Sequence, residues 1–182
     1  MSESLYFIAV VPPGDIQEEI TQLKHEIAEK YGSSHALKSP PHITLHMPFK
    51  WKEKRFNELA NVMNKLNEDL TPFQVELKGF DFFEPRVVFV DVAENEKLNQ
   101  LQKEVVNACR KELKLDNANY KDRPFHPHVT IGFRDLKKQM FYAARKEFEN
   151  RALNYEFTVH RVELLKHDGF RWNVVVFDRI EG

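Results

Sequence analysis

Two five-residue stretches of this chain spell the same word: Pro41-His42-Ile43-Thr44-Leu45 and Pro127-His128-Val129-Thr130-Ile131. Each reads proline, histidine, aliphatic, threonine, aliphatic. Such alternation is the pattern of a half-buried β-strand, in which residues i and i+2 project from one face roughly 6.5–7 Å apart. Each copy therefore delivers an imidazole and a hydroxyl side by side. Imidazole titrates near 6.5, so at neutral pH one ring can hold a proton while another lacks it. A hydroxyl can donate a hydrogen bond to an anionic oxygen. If the two strands face each other, two imidazoles and two hydroxyls surround one space. That set suits acid–base chemistry on a phosphate.

The copies lie 86 residues apart (128 minus 42) in a chain of 182, so a half-chain repeat is expected. Leu5 to Val11 is an apolar, β-prone run closed by Pro12-Pro13-Gly14. Asp15 is expected to cap a helix, with Glu18 completing a capping box. Ile16, Ile20, Leu23, Ile27 and Tyr31 share one stripe of it, and Gly32 supplies the stop. Residues 33–41 form a loop that enters the first motif strand, His42 to Met47, through Pro40-Pro41. A helix over Lys54 to Asp69, a strand over Phe73 to Phe80, a turn at Glu84-Pro85-Arg86 and a strand over Val87 to Val92 follow. The second half repeats the order. It has a helix from Glu94 to Leu113, a polar loop, the second motif strand His128 to Phe133 and a helix from Asp135 to Asn150. A hairpin of Tyr155 to Lys166 and Phe170 to Phe177 then turns at Asp168-Gly169.

After the first strand the order is αβαββ twice, with approximate repeats 14–92 and 94–177 inside a single domain, 1–182. The fold class is therefore α+β: two pseudo-symmetric lobes, each an antiparallel sheet covered by helices, around a central cleft that both motif strands reach.

Composition narrows the chemistry. A formal net charge of −1 argues against the strongly basic footprint of a duplex DNA binder, although 27 Lys and Arg leave room for a local basic groove. Cys109 is the only cysteine, so neither a disulfide framework nor a thiolate zinc site is expected, and its place in a helical pattern makes it a core residue. No apolar run approaches the roughly 20 residues that span a bilayer, and Met1-Ser2-Glu3-Ser4 lacks a basic leader, so a cytoplasmic monomer without membrane contact is expected.

Eight histidines compete for attention. A single His-x-Thr is more often structural; its recurrence at matching points of two repeats singles out His42 and His128. His126 and His128 form His-x-His, but a third ligand at convincing spacing is missing, so no metal site is expected. His46 lies two residues beyond Thr44, on the same face of an ideal strand, and is expected to line the cleft as a substrate contact. His25, His35, His160 and His167 read as solvated, as do the helix charges Lys24, Glu26, Glu29 and Lys30. Phe49, Trp51, Tyr120, Arg123 and Phe133 flank the motifs and are the candidates for contacting a base or ribose.

At His42-Ile43-Thr44-Leu45 and His128-Val129-Thr130-Ile131 the sequence resembles the 2H phosphoesterase superfamily, in particular its bacterial branch of 2′-5′ RNA ligases and RNA 2′,3′-cyclic phosphodiesterases. The flanks agree: Pro40-Pro41 before the first motif, His46-Met47-Pro48-Phe49 after it, and Phe125-His126-Pro127 before the second. The resemblance implies a bilobed, LigT-like fold with a metal-independent cleft that needs no cofactor. It implies hydrolysis of 2′,3′-cyclic phosphates at RNA ends or in small nucleotides, with His42 and His128 as acid–base catalysts and Thr44 and Thr130 as phosphate-binding hydroxyls. In the ligase-like branch a basic residue closely follows the second motif; here Gly132-Phe133 intervene before Arg134, which an extended strand would turn to the opposite face. Three other readings stand beside this one: an RNA- or nucleotide-binding module without turnover, a 2′-5′ RNA ligase, and a metal-dependent hydrolase.

Overall fold

The computed structural model describes residues 2–116 and 123–177. Among these residues the strands are β1 (Glu3–Val10), β2 (Ile43–Lys52), β3 (Phe73–Phe83), β4 (Val87–Val92), β5 (His128–Gly132), β6 (Asn154–Val159), β7 (Glu163–His167) and β8 (Trp172–Val174). The α-helices among them are α1 (Gly14–Tyr31), α2 (Phe56–Asp69), α3 (Glu96–Leu113) and α4 (Lys138–Phe148). Short 3₁₀ turns cover His35–Lys38 and Glu53–Arg55.

The strands pair into two antiparallel four-stranded sheets, ordered β2-β1-β7-β8 and β5-β4-β3-β6. In both, a motif strand forms one edge, beside the strand that precedes it across a helix. The units that correspond are thus β1-α1-β2-α2 and β4-α3-β5-α4. The expected pair of pseudo-symmetric lobes is present, but sheet membership does not follow the segments 14–92 and 94–177. The first sheet is completed by β7 and β8 from the end of the chain, the second by β3 and β6.

The long strand expected from Tyr155 to Lys166 is accordingly two strands in different sheets. β6 pairs with β3 and β7 with β1, and the chain crosses between lobes at residues 160–162. Asn67 of α2 receives the crossing chain: its side chain accepts from Val162 N at 2.7 Å and donates to Val162 O at 3.1 Å.

Burial explains the elements. In β1, Tyr6, Ile8 and Val10 enter the main core while Phe7 and Ala9 join a second cluster with Leu165. Apolar residues on both faces mark a strand covered on both sides. The stripe of α1 is buried as expected, each full side-chain burial being worth about 1.5–3 kcal/mol. Gly32 ends the helix at φ 72, its N–H donating to Ala28 O at 3.1 Å. Asp15 is not the cap: α1 starts at Gly14 after Pro13, and Asp15 lies in the first turn, where the helix dipole still favours its charge. Pro48 does not end β2, because an edge strand tolerates a residue without an N–H. Among the described residues, no helix is long and apolar enough to cross a membrane.

Candidate active site

The edges of the two sheets meet, since β2 contacts β5, and α1 and the His35–Lys38 turn pack against β5 as well. This brings the two motif words together. Thr44 lies opposite Ala9 and Thr130 opposite Phe89. Directly opposed residues share a face of the sheet, so both threonines look the same way as those neighbours, and both are half-buried.

The two histidines are held by the same device. His42 Nδ1 lies 2.8 Å from Pro40 O, and His128 Nδ1 lies 2.7 Å from His126 O. In each case the acceptor is the carbonyl two residues earlier, with Pro41 or Pro127 between. Proline fixes φ and sets the bend that returns the carbonyl to the ring. A carbonyl can only accept, so Nδ1 carries the hydrogen in both rings. That leaves Nε2 as the nitrogen that gains and loses a proton.

Aromatic rings wall each imidazole. Phe7 lies 4.7 Å from His42 between ring centroids, and Trp172 continues the wall 4.6 Å beyond Phe7. On the other side Phe83 and Phe89 each stand 5.0 Å from His128. Phe83 keeps 38% of its surface exposed.

Burial pushes the His42 imidazole down to about 4; nearby Lys24 and His128 add positive charge that acts the same way, against the Pro40 carbonyl. The charge of one motif histidine is therefore felt by the other. His128 is also lowered, first by burial and then by His126, with the His126 carbonyl and Asp91 opposing. His126 faces Asp91, Nε2 to Oδ1 3.6 Å. Among the described residues, no group of three or more His, Cys, Asp or Glu side chains converges as a metal site would require.

His46 does not line the cleft. Along β2, Thr44 pairs with Ala9 but His46 pairs with Ile8, so two β2 residues span one of β1. This bulge carries His46 to the side of Ile8, which belongs to the main core. Its ring is 1% exposed and packs edge-on to Phe49, with Nδ1 2.8 Å from Met47 O and Nε2 buried without a partner. Gly132, which occupies the matching place in β5, is needed for close packing: a Cβ there would stand 2.9 Å from Ile27 Cγ2 of α1.

Arg134 is not on the strand, because β5 ends at Gly132. It adopts φ 58, and its guanidinium lies 5.5 Å from the Phe133 ring. The alternation argument for its direction therefore does not apply. Of the base-contact candidates, Phe49 and Trp51 are core residues, Phe133 is half-buried against His35, and Arg123 is exposed; Tyr120 lies outside the described residues.

His25 and His160 are exposed, while His167 packs on Trp172. Lys24 corrects a further expectation. It is 1% exposed rather than solvated, and its Nζ donates to Ala36 O at 2.9 Å and Ser39 O at 2.8 Å. A helical wheel could have shown it, because Lys24 adjoins Leu23 and stands one turn from Ile20 and Ile27 on the buried stripe.

A bilobed fold with a repeated His-x-Thr on two abutting edge strands is that of the LigT-like 2H phosphoesterases. Residues 12–171 match the 2′-5′ RNA ligase superfamily, and the chain belongs to it. A Geobacillus kaustophilus (strain HTA426) protein named "Putative phosphoesterase" is 27% identical over 165 residues, 88% of this chain and 86% of the relative. One of the same description from Oceanobacillus iheyensis is 28% identical over 175 residues, 93% of this chain and 94% of the relative. Among solved structures, TT0787 of Thermus thermophilus shares the fold at TM-score 0.68 and 20% identity, over 94% of this chain and 95% of that one. E. coli LigT complexed with 3′-AMP does so at TM-score 0.67 and 18% identity, over 96% and 97%.

Proposed function

We propose that this protein is a metal-independent phosphodiesterase that opens 2′,3′-cyclic phosphates, at RNA ends or in small nucleotides, with His42 and His128 as its acid–base pair. The observation that carries this reading is the matched pair of Nδ1-to-carbonyl bonds, which present the two Nε2 atoms as proton carriers within electrostatic reach of each other. Membership of a phosphoesterase superfamily and the shared fold with a LigT crystallised with 3′-AMP support it.

In the reaction, one neutral imidazole takes a proton from water as the water oxygen attacks phosphorus in line. The opposite P–O bond to the ribose breaks, and the other, protonated imidazole delivers its proton to the departing ribose oxygen. The product is a phosphate monoester, and the two rings end with exchanged protonation states. The Thr44 and Thr130 hydroxyls donate to the non-bridging oxygens, where charge builds in the transition state. Phe83 offers a ring face for the base. With an RNA 5′-hydroxyl in place of water as the nucleophile, the same ring opening forms a phosphodiester and frees the other ribose hydroxyl, which is the chemistry of a ligase and uses the same groups.

The test is product analysis of 2′,3′-cyclic mononucleotides and cyclic-phosphate-ended oligonucleotides in EDTA, for wild type, His42→Ala and His128→Ala. Turnover by wild type with a loss of about 10²–10⁴-fold in each variant supports the proposal. Binding without turnover in all three makes the chain a binding module, and activity abolished by EDTA makes it a metal-dependent hydrolase.

A further inference from the structure

The segment that delivers His42 is held from two sides. At its start, the Asp135 carboxylate accepts from Ser33 Oγ at 2.7 Å and Ser34 N at 3.0 Å, tying it to the loop after the second motif strand. At its end stands Lys24, the one Lys or Arg among the buried residues described. Its two acceptors are Ala36 O, inside the 3₁₀ turn, and Ser39 O, just past its end, and the next residue, Pro40, provides the carbonyl bonded to His42 Nδ1. From ammonium to imidazole the path is Lys24 to Ser39, one peptide link to Pro40, and one hydrogen bond to the ring.

We propose that Lys24 is a positioning residue for His42: its buried amino group clamps the 36–39 turn, so that the Pro40 carbonyl fixes the tautomer and aim of the ring. Burying an ammonium is costly, and a clamp that served stability alone would be served as well by apolar packing. The location gives the charge a second consequence. Lys24 from α1 and His128 from β5 are the charged groups that act on His42, and both disfavour its protonation. Around His128 the balance differs, since His126 on its own strand segment disfavours protonation while Asp91 from β4 favours it. Burial lowers Lys24 itself to about 7, and as free amine it still donates to both carbonyls.

The inference rests on the two-histidine reading, and its test has an arm that needs no turnover. Lys24→Met keeps the length and apolar stem while removing charge and donors. Lys24→Gln restores a donor without the charge and carries the test should the methionine variant not fold. In histidine-labelled free protein, ring nitrogen shifts report the tautomer and titration of His42 and His128 separately. Wild-type His42 should remain the Nδ1–H tautomer and titrate well below 6.5. In Lys24→Met the fixed tautomer should be lost and the His42 midpoint should change, by more than that of His128. With a cyclic phosphate substrate, kcat should fall by about 10–10²-fold and KM should stay within about twofold. A folded variant with a lowered thermal midpoint but wild-type His42 titration and kcat would overturn the proposal, as would equal shifts of both histidines. Absence of turnover in wild type would refute the function while leaving the ring titration to decide the role of Lys24.

Discussion

His42 and His128, 86 residues apart (128 minus 42), are bound in the same way: each Nδ1 lies within 2.8 Å of the carbonyl two residues before it, across a proline. His42 immediately precedes β2 and His128 opens β5, abutting edge strands of separate sheets, and the charge of His128 lowers the proton affinity of His42. In-line displacement at phosphorus needs one proton-accepting and one proton-donating nitrogen on opposite sides of the phosphorus, the roles proposed for the two Nε2 atoms.

The hydroxyls should matter to the transition state more than to binding. Thr44→Val or Thr130→Val should lower kcat by about 10²-fold, in line with the loss of one oxyanion donor, and each Ser variant should recover most of it. Steady-state kinetics on a cyclic mononucleotide measures this; a change in KM with kcat intact would show a ground-state contact instead.

Phe83, half open and 5.0 Å from His128, should bind the base. Stacking is worth about 1–3 kcal/mol per base, so Phe83→Ala should raise KM for a cyclic nucleotide by roughly 5–100-fold with a smaller change in kcat. An unchanged KM would place the base elsewhere.

Acid should unfold the protein through its histidines. His42, His46 and His128 all bind a proton less readily in the fold than in the unfolded chain. Their stabilising contribution is complete above about 6.5, the unfolded value, and is lost as pH falls toward the folded values, about 4 for His42. Denaturant midpoints should therefore decline from pH 6.5 to 4, and His46→Phe should decline less steeply, because its Nε2 has no partner to receive a proton's hydrogen bond. A flat wild-type curve over that window would contradict the burial of these rings.

Gly132 should not accept a side chain. The Cβ of Gly132→Ala would stand 2.9 Å from a methyl of the buried Ile27, which can yield only by moving α1. Overpacking of this kind costs about 1–3 kcal/mol, read as a lowered unfolding midpoint in urea. A neutral substitution would mean that α1 shifts freely against β5.

Much of this was legible in the sequence because it rests on local pattern. Alternation gave the motif strands, the i, i+4 stripe gave α1, and the repeated word gave the lobes. What was hidden depends on pairing at a distance. Strand membership was one such feature: nothing in Tyr155 to Lys166 says that the chain changes sheets at residues 160–162. His46 was another, since a bulge is a property of two strands and β2 alone reads as unbroken alternation. Lys24 looked solvated because lysine usually is; its partners are carbonyls, which carry no sequence identity. Phe7, Phe83, Phe89 and Trp172 were lost among 15 Phe and two Trp, since only the fold shows which rings flank an imidazole.

One phosphate is expected to sit between the two motif histidines. A crystal structure with a nucleoside 2′-monophosphate bound tests it most directly. Nε2 of His42 and Nε2 of His128 should each stand about 2.6–3.2 Å from oxygens of a single phosphate, with both threonine hydroxyls donating to it. A phosphate held by one histidine alone, with the other ring turned to a separate pocket, would contradict it.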